Sequence, residues 1–281
     1  ALYDHMISIG LQVSGIETDR QATYDLAEYH TIVYLAGVTG RKQAEPATEQ
    51  DVFQRNVTDI CNVYNALRED QLMLFASTAA LYDEWHATET SNVFGKDKYT
   101  ASMKKREEAI QSLISLGGRP TVVCARLSNV LGTSSGQRVD LGVQLMVKSA
   151  FTEKCIQVFD WNSMRSYVGM EDLLGSLMHL IRIHFGQNHT QMQIYNIRSF
   201  DAKIIDVANA IAEFMPASIV KLPTETPTTG FSIDSSKLIQ SGYTPAQTLE
   251  GCLRPIFKSE SSIMSFVTPR RMRLLGMQDP T

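Results

Sequence analysis

Apolar runs alternate with amphipathic stretches along the whole chain, and that alternation decides what it can fold into. His30-Thr-Ile-Val-Tyr-Leu-Ala36, Leu72-Met-Leu-Phe-Ala-Ser77 and Thr121-Val-Val-Cys-Ala-Arg-Leu127 are short, nearly continuous apolar runs of strand length. Between them, Val52, Val57, Ile60, Val63 and Leu67 recur at helical spacing over 48–68. A further helix is expected from Tyr99 to Leu116, stopped by Gly117-Gly118. Strand–helix–strand units pair their strands in parallel through crossover helices. The expected fold class is therefore α/β, an open, doubly wound parallel sheet of Rossmann type. At the start, Leu2 to Ile9 reads as a helix closed by Gly10, and Leu11 to Glu17 as a strand.

After Gly132 the pattern loosens, with a loop at Ser134-Ser135-Gly136. Short strands (Ile156 to Phe159, Gln193 to Ile197, Ser218 to Leu222) alternate with helices at Glu171 to Ile183 and Ala202 to Phe214, and Pro223 to Gly230 is a loop. The expected division is a layered part over 1–132, a smaller C-terminal substrate region over 133–258 with late returns to the core fold, and a tail over 259–281. Arg270, Arg271 and Arg273 make that tail weakly basic, as solvated surface or a partner contact rather than a lipid site.

Composition narrows the function. The 281 residues suffice for a full core without staples. Lys+Arg 26 against Asp+Glu 30 gives a net charge of −4, so no broad basic surface exists and nucleic acid is excluded as the main ligand. No run of about 18 uncharged apolar residues offers a membrane span. Cys61, Cys124, Cys155 and Cys252 fit neither metal spacing nor a disulfide framework, and read as buried thiols in a reducing compartment, cytoplasm or an organelle matrix. The six His are scattered; His179 and His184, five apart on one helix, are surface or packing residues, and no metal site is expected. There is no nucleophile elbow and no phosphate loop of the P-loop kind.

Open sheets of this kind bind ligands beyond the carboxyl ends of their strands. Glu17 is placed at such an end, where a carboxylate accepts both hydroxyls of a ribose and repels a 2′-phosphate, which favours NAD over NADP; a plain solvent-facing acid is the alternative. The first strand and its glycine-rich phosphate loop are not found. They are expected ahead of Ala1, because a doubly wound sheet without its central strand leaves neighbouring edges unpaired. The chain does not begin with Met, and is expected to start inside a longer protein.

Several segments, in order, resemble the extended short-chain dehydrogenase/reductases, or NAD-dependent epimerase/dehydratases. Val13-Ser-Gly-Ile-Glu17 resembles the strand with the ribose acid, and Ile32-Val-Tyr-Leu-Ala-Gly37 the "hxHLAA" strand. Asn56 stands where that family has the Asn of "N..GT..LL.A". Leu74-Phe-Ala-Ser-Thr-Ala-Ala-Leu-Tyr82 resembles "hhhSSSxxVYG", Tyr99-Thr-Ala-Ser-Met103 with Glu107 "YxxSKxxxE", and Arg126-Leu-Ser-Asn129-Val-Leu-Gly132 "RxxNVYG". Arg165-Ser-Tyr-Val168 with Asp172 resembles "RDYVHVxD" and Tyr195-Asn-Ile197 "YNV".

The resemblance implies Tyr99 as acid/base and Thr78 as the hydroxyl that fixes the same substrate oxygen. It implies dinucleotide contacts at Glu17, Leu35, Ala36, Gly37, Asn56, Ala76 and Tyr99. Asn129 and Arg165 would hold the diphosphate of a nucleotide-sugar-like substrate, with Thr78 beside them; an ion pair of Arg165 with Asp160 or Asp172, and Tyr99 as a packing ring, are the alternatives. A homodimer follows by analogy alone. The departures matter as much. Met103 stands in the Lys place, and Lys104 and Lys105 point off the Tyr99 face. A free phenol titrates near 10 and needs a nearby cation to act as a base, so the loss costs on the order of 10²-fold. Ser166 replaces the Asp of "RDYV", Asp83 the Gly after Tyr82, and Ala79-Ala80 the acid pair of a dehydratase, so 4,6-dehydration is not expected. Glu107 reads as a helix-surface acid. Two functions remain: an NAD-dependent oxidoreductase or epimerase, or a catalytically silent relative serving as a nucleotide-binding or structural subunit of a larger assembly.

Overall fold

The structure, a computed structural model, describes residues 1–15, 25–117, 120–134, 138–224 and 230–268. Its strands are β1 (Thr31–Tyr34), β2 (Leu72–Thr78), β3 (Thr121–Leu127), β4 (Asn129–Leu131), β5 (Cys155–Val158), β6 (Met164–Gly169), β7 (Gln193–Ile197), β8 (Phe200–Lys203) and β9 (Ser218–Lys221). Its helices are α1 (Leu2–Ser8), α2 (Arg41–Ala44), α3 (Glu49–Phe53), α4 (Asp59–Asn65), α5 (Lys98–Ser115), α6 (Gly142–Glu153), α7 (Met170–His184), α8 (Ile204–Phe214), α9 (Ser236–Gln240), α10 (Leu249–Leu253) and α11 (Glu260–Val267).

The central sheet runs β1-β2-β3-β7, all parallel, with Leu72 opposite Thr121 and Cys124 opposite Ile194. Side chains alternate between its two faces. Met73 and Phe75 pack with Ile60, Val63, Ile110 and Ile114 beneath α4 and α5. Leu72 and Leu74 pack with Leu173, Leu177 and Leu180 of α7 on the other face. Burial on both faces is why β2 and β3 read as unbroken apolar runs. A separate core joins α6, α8, α10 and α11 to the small β5-β9 sheet.

The expected sheet is present, with corrections. Residues 11–15 of the anticipated Leu11–Glu17 strand join no ladder, and Ile16 and Glu17 lie outside the described residues. Among the described residues β1 is an edge strand, and a cavity of about 1160 Å³ is lined by residues 11–15, α1, β1 and α7. The expected single helix over 48–68 is α3 and α4 joined by a π-helical turn, Gln54–Thr58. Ala202 belongs to β8, so the helix there begins at Ile204. The β4-β6-β8 sheet was not expected. Part of the anticipated tail, Glu260–Val267, is a helix with Ile263 and Phe266 buried; the arginines at 270, 271 and 273 lie outside the described residues.

Glu107 is also corrected. It is buried, receives Arg126 Nη2 at 2.6 Å and Nε at 3.1 Å, and accepts from Ser77 Oγ at 2.5 Å. A helix-surface position was expected, but Glu107 lies one turn after the buried Met103, on the face of α5 that meets the sheet, where Arg126 of β3 reaches it. Removing one partner of such a pair leaves an uncompensated buried charge. Glu107→Ala should lower stability by roughly 3–5 kcal/mol in urea unfolding, and more than Glu107→Ala/Arg126→Met.

At the end of α7, His184 uses both ring nitrogens, Nδ1 with His189 Nε2 and Nε2 with the Tyr195 hydroxyl, each at 3.0 Å. Burial, with His189 and Lys237 adding repulsion, pushes its pKa down to about 4. The fold therefore keeps it neutral while the unfolded chain takes up a proton below about 6.5. Its contribution is complete above pH 6.5 and lost as pH falls toward 4. Across that window the protein should lose on the order of 3 kcal/mol that a His184→Gln variant does not lose, read as unfolding free energy against pH.

Candidate active site

The strands β1 and β2 end side by side, and the segments that follow them form the candidate site. Beyond β1 the chain runs through Leu35, exposed, and Ala36 to Gly37, whose φ is +131°. A Cβ at Gly37 would stand 2.5 Å from Arg106 Nη2 and 2.5 Å from Asn56 Oδ1, so this close approach of backbone to side chains needs glycine. The π-helical turn aims Asn56 inward, where it is wholly buried. Its Oδ1 accepts from Val38 N at 2.7 Å, and its Nδ2 donates to Val38 O at 3.2 Å and Ser102 Oγ at 2.8 Å. Asn56 thus shapes the loop after β1 from behind. π-turns of this kind recur where a helix must re-aim one side chain at a working site.

Tyr99 lies in the first turn of α5, which opens with a capping box. Asp97 accepts from Thr100 N at 2.8 Å, and Thr100 Oγ1 accepts from Asp97 N at 3.1 Å. Arg41 holds the same Asp97 at 2.5 Å, and Ser102 Oγ donates to Tyr99 O at 2.7 Å. The half-buried phenol lies near the side chain of Thr78, the last residue of β2. Burial raises the Tyr99 pKa above the ordinary phenol value; the Thr78 hydroxyl and the charges of Arg106 and Arg138 pull it back in part, and Asp97 opposes them. Met103 is buried in packing. Ala76, two residues before Thr78, turns its carbonyl to Arg106 Nη1 at 3.0 Å.

On the substrate side, Asn129 is exposed at the start of β4 and donates to Ser166 O of β6 at 3.0 Å. Arg165 of β6 bonds Ser163 Oγ and, at 2.8 Å, Met164 O, and stacks on Phe231 at 5.8 Å. Burial lowers its pKa; Tyr167 and Asp160 oppose that, and Arg41 adds like charge. Asp172 is occupied elsewhere, by Ser199 Oγ at 2.6 Å and the backbone of Ala246 and Gln247. Ser166 Oγ donates to Asp201 at 2.5 Å and accepts from Ile233 N at 3.0 Å. Glu17 lies outside the described residues.

The structure thus brings Thr78 and Tyr99 together, with Leu35, Ala36 and Gly37 on the neighbouring rim and Arg165 on the adjoining small sheet. Sequence reasoning missed the support behind them. Arg126 Nη1 donates to the Tyr82 hydroxyl at 2.5 Å, which donates to Asn196 Oδ1 at 2.8 Å. Burial pushes the Tyr82 phenol up to about 12, although Arg126 opposes it. It also missed Arg106, discussed below. For Arg126 the signal was there, an arginine inside the apolar run 121–127; Arg106, in the charged run 104–108, gave none. Gly37→Ala should cost about 1–3 kcal/mol in thermal unfolding, because the left-handed backbone and the 2.5 Å contacts leave the methyl group no room.

Comparison with known proteins gives a consistent picture. The chain superposes on RMD from Pseudomonas aeruginosa, complexed with NADPH, with TM-score 0.73 at 17% identity over 95% of each chain. It matches the UDP-glucose-4-epimerase of Stenotrophomonas maltophila, with bound NAD and formylated UDP-arabinopyranose, with TM-score 0.74 at 14% identity over 83% of this chain and 76% of that one. The ADP-L-glycero-D-manno-heptose-6-epimerase of Helicobacter pylori matches with TM-score 0.71 at 17% identity over 90% and 80%. At such identities these likenesses establish the fold. The family model covers residues 13–197, and by that match the chain belongs to the NAD dependent epimerase/dehydratase family.

Proposed function

We propose that this protein binds a nicotinamide dinucleotide, NAD rather than NADP, beyond the carboxyl ends of β1 and β2, and moves hydride at a hydroxyl-bearing carbon of a nucleotide-sugar-like substrate. The observation that carries this reading is the approach of the Thr78 side chain to the Tyr99 phenol at the strand ends. The residues around it fit a dinucleotide: bare backbone at Gly37, an exposed apolar face at Leu35 and the partly exposed Ala36. The NAD bound by several structural relatives supports the choice. A strand pairing with the free edge of β1 is where a phosphate-cradling loop would enter.

When bound, the dinucleotide supplies the acceptor or donor of hydride. Thr78 holds the substrate oxygen. In the oxidative direction Tyr99 acts only after its own proton has been lost to solvent: the phenolate takes the hydroxyl proton as the C–H bond gives up hydride to the dinucleotide and the C–O bond becomes C=O. In the reductive direction Tyr99 returns that proton. Its raised pKa keeps Tyr99 protonated at neutral pH, ready to donate. Arg165, in a field to which Arg41 adds, takes the substrate diphosphate through its planar fork, and Asn129 flanks it. The buried Met103 and the raised phenol favour a second reading, a silent subunit that keeps the fold and the nucleotide site.

Calorimetric titration of the full-length chain with NAD, followed by assays with nucleotide sugars, separates the two. Heat of binding and a turnover reduced on the order of 10²-fold or more by Tyr99→Phe are the expected results. Binding without turnover supports the silent subunit; absence of binding rejects both.

A further inference from the structure

A buried guanidinium occupies the carboxyl end of the sheet, and its partners are neutral. Arg106 is 2% exposed. Its Nε donates to Asn56 O at 2.7 Å, Nη1 to Ala76 O at 3.0 Å, and Nη2 to Ala36 O at 3.1 Å. Nη2 also reaches Asn56 Oδ1 at 3.4 Å, and the group lies 5.5 Å from the centre of the Tyr34 ring. Each bonded acceptor is a carbonyl oxygen. The adjacent carboxylate, Glu107, is engaged with Arg126 and Ser77. The charge of Arg106 is thus held by backbone dipoles and keeps its field.

That field is aimed at the candidate site. Residue 106 follows Tyr99 by seven, two helical turns, and so lies on the same face of α5. Side chains on a helix lean toward its N-terminus, which brings the long arginine back along the helix toward Tyr99. The bonded Ala76 is two residues from Thr78 in β2. Asn56, in turn, bonds Ser102, which bonds the Tyr99 carbonyl. Burial lowers the Arg106 pKa. A guanidinium is basic enough to stay charged under that penalty, where a lysine ammonium readily loses its proton.

We propose that Arg106 is the positioning cation of the Tyr99–Thr78 pair, supplying from further along α5 the positive charge that Met103 does not carry. The proposal rests on the reading of Tyr99 as the acid/base. It makes the departure at residue 103 a relocation of charge, with the same guanidinium fixing the loop after β1 and the end of β2.

The test is a titration of Tyr99 in the full-length chain without any dinucleotide. Phenolate absorbance is recorded against pH, and the curve of the matching Tyr99→Phe variant is subtracted. Arg106→Gln keeps N–H donors for the carbonyls and removes the charge; it should raise the Tyr99 midpoint by about one pH unit or more. Asn56→Asp leaves the guanidinium in place and neutralises it with an isosteric carboxylate, so it should move the midpoint the same way even if Arg106→Gln does not fold. Met103→Lys added to Arg106→Gln should bring the midpoint back down. An unchanged midpoint in whichever of Arg106→Gln and Asn56→Asp is folded overturns the proposal and leaves Arg106 a structural clamp. Because no dinucleotide is present, this outcome is independent of NAD binding: a protein that binds and turns over NAD but shows no shift loses only the role of Arg106.

Discussion

The position of α5 on the sheet depends on one buried ion pair. Glu107 points down from the helix and Arg126 points up from β3, with Ser77 of β2 bonded to the same carboxylate. Neither charge is tolerable alone in that layer, so the pair forms only when helix and strands sit in one relation to each other. Tyr99 is eight residues, just over two helical turns, from Glu107. Fixing one end of that span therefore fixes where the phenol meets Thr78. Arg126 also reaches Tyr82, and through it Asn196 of β7, so three strands and the loop after β2 share one polar network. Such a network resists sliding better than apolar contacts do, because each donor has few alternative partners.

A second fastening lies one layer closer to the strand ends. Asn56 and Arg106 bind the backbone of the loop after β1 and of the end of β2, so the rim of the site is shaped by side chains from behind it. This explains why Gly37 carries no side chain and why the helix over Asn56 widens into a π-turn: both admit the same polar cluster. The two fastenings are on consecutive residues of α5, 106 and 107, yet serve different ends. Glu107 ties the helix to the middle of the sheet, whereas Arg106 serves the working end.

The layered sheet was legible in the sequence because burial on both faces leaves a plain signature, the apolar runs at 72–77 and 121–127. The nearness of Thr78 to Tyr99 was suggested only by a pattern of residue types, a hydroxyl at the end of a strand and a phenol at the start of a helix. What periodicity could not show was the partner of a buried charge. Glu107 looks like a surface acid until Arg126 is known to lie beneath it, and Arg106 looks like one more charge in a helix with Lys104 and Lys105. The small β4-β6-β8 sheet was hidden for another reason. Its strands are short and carry Arg165, Ser166 and Asp201, whose polar side chains find partners only once the fold is assembled.

Among the described residues, no strand pairs with the outer edge of β1. Its ladder groups face a cavity of about 1160 Å³ whose other walls are α1, residues 11–15 and the end of α7. An edge strand left beside apolar side chains such as Met6, Ile181 and Phe185 is poorly solvated and open to pairing. Helix α1 has no buried residue, and Tyr3, Ile7 and Leu11 are exposed along that cavity. By contrast, the face of β1 that meets β2 is closed, and it is there that Thr78, Tyr99 and Arg106 are held tightly. The surroundings of the Tyr99 phenol are therefore fixed by the contacts of Arg106 and Asn56, whereas the outer edge of β1 is bounded by α1, residues 11–15 and the end of α7, so the two sides of β1 rest on different parts of the chain.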